Sequence, residues 1–208
     1  MKDEILNEIY RVCSPNLEKT GFYPNKNKEI YSKKKNDFKY IIEIKISDGK
    51  RQHITLKIQH KKINEIFKNT IFEAVKRNNE MVIPKGIVSV CSLTDWKELY
   101  NSNNLKFGNI WFSTISNLKI IKNRKNEYDQ AFLIANNWFE SNSDMNYLYE
   151  YNFNNKYTYN IEIALCIGYY LKKDIMSDYS NFKTKSKDAG NWNKERIDTF
   201  IECLLEAV

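Results

Sequence analysis

Two stretches of alternating apolar and polar residues, joined by Ser47-Asp48-Gly49-Lys50, constrain the fold of this chain more than any other feature. In the first, Phe38, Tyr40, Ile42, Ile44 and Ile46 fall on one side, with Lys39, Glu43 and Lys45 on the other. In the second, Ile54, Leu56 and Ile58 alternate with His53, Thr55 and Lys57. A period of two is the signature of a strand that buries one face. The Asp-Gly pair between the stretches is a hairpin signal. Residues directly opposite in an antiparallel pair share a face. A two-residue loop would place Ile44 against His53 and mix the faces. A three-residue loop, Ser47 to Gly49, pairs Ile44 with Gln52, Ile42 with Ile54 and Tyr40 with Leu56. This predicts a bulged hairpin with Gly49 at positive φ.

Around the hairpin, other periodicities place the remaining elements. Ile5, Ile9, Val12 and Cys13, continued by Leu6 and Leu17, predict a helix over 3–19. Pro15 predicts a break in it near Val12, because proline removes a helical hydrogen bond. A short strand is expected over 29–34, a helix over 63–78, and strands over 86–93 and 109–115. A helical turn capped by Thr94 is expected over 95–99. Residues 118–121 are too short a run to assign. Helices are expected over 128–140, 144–151, 159–173 and 193–207. Strands early and helices late give an α+β fold. The 208 residues, 42% hydrophobic with six Gly and three Pro, suit a single domain over 1–208 without long linkers. Within it, 1–125 supplies a helix and an antiparallel sheet, and 126–208 a helical region packed on it.

Cys13, Cys91, Cys166 and Cys203 stand far apart, so no C-x-x-C element is available for zinc or thiol exchange. Three of them fall in apolar helical stretches, where a free thiol acts as a small hydrophobe suited to a reducing compartment. The charged N-terminus and the lack of a long apolar run predict a cytoplasmic protein with no membrane association. His53 and His60 are expected on opposite faces of one strand, unable to share a metal or a proton. Glu162, Asp174 and Asp178 come nearest to an acidic cluster, and read as a solvated helix end. No nucleophile, metal or phosphate-loop motif is present, so neither catalysis nor a cofactor is expected.

Lys and Arg number 33 against 26 Asp and Glu, a net charge of +7. Basic runs occur at Lys33-Lys34-Lys35 and Lys61-Lys62. Lys39, Lys45, His53, Thr55 and Lys57 line the outward face of the hairpin, near an Ile41 expected to be exposed, and form the candidate binding face. Such a face attracts phosphates, but lysines also guard strands against edge pairing, and the hairpin aromatics Phe38 and Tyr40 fall on the inward side. Trp96, Trp111, Trp138 and Trp192 read as core or rim packing.

The order of elements adds one resemblance. A helix ends in Leu17-Glu18-Lys19-Thr20-Gly21-Phe22, a strand follows through Tyr31-Ser32-Lys33, two alternating strands come next, then Trp111-Phe112 and helices. Over its first 60 residues or so, the chain resembles small bacterial immunity-type proteins that accompany polymorphic toxins. The resemblance implies a binding protein that neutralises a partner toxin, one with an acidic surface given the basic charge here. It implies no catalytic residues. The longer middle segment, 63–106, departs from the pattern. The alternative is a nucleic-acid-binding protein using the lysine-rich hairpin face.

Overall fold

In the computed structural model, which describes residues 2–48, 50–78, 81–84, 88–93, 112–155, 157–185 and 193–206, the first stripe is buried along one unbroken helix, α1 (Lys2–Lys19). Pro15 does not interrupt it. Arg11 and Pro15 both lie on the exposed side, so the carbonyl that loses its partner faces water, while Ile5, Ile9, Val12, Cys13 and Leu17 stay buried. The helix stops where Gly21 adopts φ +85°. There the Phe22 N–H donates to the Leu17 carbonyl and the Gly21 N–H to the Glu18 carbonyl, a Schellman cap with Leu17 and Phe22 buried together.

The sheet contains β1 (Tyr23–Pro24), β2 (Ile30–Lys35), β3 (Phe38–Ser47), β4 (Arg51–His60), β5 (Cys91–Leu93) and β6 (Phe112–Thr114). The first five follow in chain order and β6 pairs with β4. Strand β2 runs antiparallel to β3, with Tyr31 opposite Ile42 and Lys35 opposite Phe38. Asn36 turns between them at φ +54°. At the central hairpin the Lys50 N–H donates to the Ser47 carbonyl at 3.0 Å. The positive φ there falls on Asp48, at +48°; the expectation for Gly49 lies outside the described residues. Tyr40, Ile42, Ile44, Ile54, Leu56 and Ile58 are all buried, as the alternation requires.

The chain divides into two compact units, Met1–Ile58 with Ser92–Ser141, and Gln59–Cys91 with Asn142–Val208. The first helix after residue 125 groups with the sheet, and the helix after the hairpin groups with the C-terminal helices. In the first unit α1 packs on α3 (Leu118–Asn123) and α4 (Lys125–Ser141). Phe139 of α4 stacks on Tyr40 at 5.1 Å between ring centroids and meets Phe22 at 5.6 Å. Gln52 sits buried at an inward position, where the Tyr128 hydroxyl donates to its Oε1 at 2.6 Å.

The second unit holds α2 (Lys61–Arg77), α5 (Met145–Asn154), α6 (Thr158–Tyr170), α7 (Ile175–Lys185) and α8 (Lys194–Glu206). Helix α6 contacts all four others, and every residue from Ile161 to Gly168 is buried. That near-continuous apolar run is what a helix surrounded by others needs. Helix α7 was not expected; Lys172 at φ +58° ends α6 and the chain restarts at Ile175. The strand expected over 86–93 is confined, among the described residues, to Cys91–Leu93. The turn at 95–99, Trp96, Trp111 and Trp192 lie outside the described residues. No described helix is long and apolar enough to cross a membrane.

Candidate protein-binding surface

The hairpin face is built as the alternation predicts, but it is less open than a binding platform. Thr55 is only 4% exposed, and Ile41, expected in solvent, is 7% exposed. Lys39, His53 and Lys57 are half-buried, and of this set only Lys45 is exposed. Glu43 binds two of the lysines, with Lys57 Nζ at 2.7 Å and Lys45 Nζ at 3.4 Å. Burial pushes the Glu43 carboxyl up, but hydrogen bonding and charge from Lys57 and then Lys45 outweigh it and hold the group below its ordinary range. The Lys33-Lys34-Lys35 run is treated similarly. Lys33 donates to Asn136 Oδ1 at 3.1 Å, and both Lys33 and Lys35 pair with Glu140. Much of the basic charge of the first unit is therefore answered by carboxylates of the same unit.

The other candidates disperse. His60 is buried at the start of α2, where its Nδ1 accepts from the Ile63 N–H at 3.4 Å and its ring meets Tyr170 edge-on. Glu162 is fully buried, not solvated: Arg196 donates to its two oxygens at 2.6 and 2.9 Å. Burial raises the Glu162 pKa, against the pull of Arg196. Asp178 accepts from the Tyr149 hydroxyl at 2.5 Å, and Asp174 from the Ser177 N–H at 3.0 Å. All four cysteines are free and buried; burial pushes the Cys13, Cys166 and Cys203 thiols up, away from reactivity. Among the described residues, no group of three or more His, Cys, Asp or Glu side chains is arranged to hold a metal ion.

A feature with the shape of a binding site lies in the second unit. A cleft of about 550 Å³ opens beside α2, lined by Phe67, Ile71, Phe72, Ile83, Pro84 and Val88. Phe72 is 54% exposed and Ile83 43%, and Val82 beside it reaches 71%. Asn64 fixes the far wall: its Oδ1 accepts from the Val88 N–H at 2.7 Å, and its Nδ2 donates to the Val88 carbonyl at 3.0 Å. Buried Asn64 thus satisfies both backbone groups of Val88, as a neighbouring strand would. Among the described residues the polar lining is Lys68, Asn69 and Glu73. Glu73 is bound by Lys76, whose Nζ also sits 4.5 Å from the Phe72 ring centroid. Lys68 has no ion pair among the described residues.

Sequence reasoning found the buried stripe of α2 and passed over Phe72, which stands beside that stripe, and the aperiodic Met81-Val82-Ile83-Pro84. An apolar residue off a helix's buried stripe was the available signal. Comparison with protein-family models, with curated proteins and with solved structures finds no match for this chain.

Proposed function

We propose that this chain is a non-catalytic protein-binding module of the immunity type, which acts in the cytoplasm by occupying a partner toxin. The observation that carries the binding part is the cleft with Phe72 and Ile83 at its mouth and Val82 beside it. Large apolar side chains gathered at a concave exposed site are typical of interaction surfaces. The neutralising part comes from the order of elements over the first 60 residues or so and its resemblance to immunity-type proteins. Buried free thiols fit a reducing compartment. The nucleic-acid alternative is weakened by the pairing of Lys45 and Lys57 with Glu43, and of Lys33 and Lys35 with Glu140. A phosphate would have to displace a carboxylate that is already in place.

The test is to recover the tagged chain from its own host, with and without nuclease treatment, and then to express the recovered partner alone. We expect one stoichiometric protein that survives nuclease, arrests growth when expressed alone, and is relieved by co-expression of this chain. Recovery of nucleic acid with partners lost after nuclease, or a partner without toxicity, refutes the reading.

A further inference from the structure

Resting on the binding-module reading, we infer that the α2 cleft takes an amphipathic helix of the partner that sets an acidic side chain one turn from an apolar anchor. Three observations select that occupant. First, the apolar cleft between Phe72 and Ile83 is concave, holds about 550 Å³ and is walled by Pro84 and Val88, which gives room for apolar side chains projecting together from one helix face and not for a flat sheet face. Second, Lys68 and Phe72 are four residues apart on α2 and line the same cleft. Side chains at that spacing lie next to each other on the helix surface. A partner that fills the apolar opening therefore has to answer a cation one turn away.

Third, the charges around the cleft are not balanced. Helix α2 carries Lys61, Lys62, Lys68, Lys76 and Arg77 against Glu65 and Glu73. Glu65 is held by Lys62 and Glu73 by Lys76, while Arg77 pairs with Glu206 of α8. Lys68 is the lining cation left without a carboxylate among the described residues. Glu73, the one acidic group among the described lining residues, is already matched by Lys76, so it repels an incoming acid less than its charge alone suggests. Desolvating Lys68 against a carboxylate gives orientation as well as attraction, because like charge at the same place is rejected. The groove-and-helix mode reads the partner at i, i+3, i+4 and i+7.

The test uses two labelled synthetic peptides with the same leucine spacing. One carries Glu on the flanking positions and the other carries Lys, and binding is followed by fluorescence anisotropy. The wild-type chain is expected to bind the Glu peptide at least tenfold more tightly than the Lys peptide. Phe72→Asp is expected to abolish binding of the Glu peptide. Lys68→Glu is expected to lose the Glu peptide and gain the Lys peptide, a reversal that general loss of fold does not produce. Both substituted residues are exposed, and circular dichroism confirms that each variant is folded. No binding of the Glu peptide, equal binding of both peptides, or affinities unmoved by Lys68→Glu overturns the inference. These outcomes leave the binding-module reading standing if the host recovery still yields a toxic partner; loss of that partner removes the reading itself.

Discussion

At the scale of single residues, two positions in the second unit decide how tightly its helices close. A Cβ built on Gly168 comes within 2.6 Å of Ile175 Cγ2 and 2.7 Å of Tyr149 Cε2. Both neighbours are anchored. Ile175 is buried, and the Tyr149 hydroxyl is held by Asp178 with Lys173 over its ring. Gly168→Ala is expected to cost about 1–3 kcal/mol through overpacking, read by denaturant unfolding. The second position is the buried Glu162. Removing its partner by Arg196→Ala leaves a carboxylate in the core and is expected to destabilise by about 3 kcal/mol, the lower end for a broken buried pair because Arg196 keeps some exposure. The pH dependence follows from the sign of the shift. Burial raises the folded-state pKa of Glu162 above its unfolded value, so its contribution is most favourable below about pH 4.5 and is lost as pH rises through the folded value. Against a Glu162→Gln reference, wild type is expected to lose relative stability over that rise. A difference curve that is flat, or that climbs with pH, contradicts the assignment.

At the scale of elements, patterns with a strict period were legible and local restarts were not. The alternation around Ser47-Lys50 predicts the buried set Tyr40, Ile42, Ile44, Ile54, Leu56 and Ile58, because one register keeps those residues dry, but it does not predict that Ile41 and Thr55 on the other face are covered as well. The stripes of α1, α2, α4 and α8 were read for the same reason. Pro15 misled because a proline costs less where the freed carbonyl is already in water. Helix α7 was missed because its sequence, Ile-Met-Ser-Asp-Tyr-Ser-Asn-Phe-Lys-Thr-Lys, has few apolar residues, and because its start signal, Asp174 accepting from the Ser177 N–H, reads equally as the solvated end of the preceding helix. The run Leu17 to Phe22, on which the family resemblance leans, is accounted for by helix capping: Gly supplies the positive φ, and Leu17 and Phe22 close over it. It positions the chain between α1 and β1. The cleft went unread because Met81-Val82-Ile83-Pro84 has no period and because the segment of Val88 is held by polar side chains of distant helices, Asn64 at Val88 and Asn152 at Val90. Asn64→Leu removes the partners of both Val88 backbone groups, each costly when buried and unsatisfied. A loss of about 2–4 kcal/mol is expected, together with faster amide exchange at Val88. Retention of slow exchange there shows that the wall is held by something other than Asn64.

At the scale of the whole molecule, a net charge of +7 is spread over 33 cations and 26 anions, and what matters is how many cations remain free to meet an anionic partner. Lys2 pairs with Glu29, Arg11 with Glu8, Arg124 with Glu127, Lys125 with Asp129, Lys183 with Asp198, and Lys45 and Lys57 with Glu43. Each exposed pair adds little to stability, yet together they remove much of the field that a polyanion would follow. Binding to nucleic acid scales with the number of phosphates neutralised, and the logarithm of affinity falls with salt in proportion to that number. A platform built for phosphates engages about six to ten of them and shows a correspondingly steep slope. This chain is expected to show weak binding to a mixed-sequence duplex at low salt, with a log–log slope no steeper than about −3, and none detectable at physiological ionic strength. Titration of the duplex across a salt series measures both quantities. The same series should leave the slope unchanged for Lys45→Glu, since removing one cation of a pair also frees Glu43 to repel phosphate only at a site where phosphate was not bound. A steep slope in wild type that flattens in Lys45→Glu or Lys57→Glu would restore the hairpin face as a phosphate-binding surface, and with it the nucleic-acid function that the paired lysines argue against.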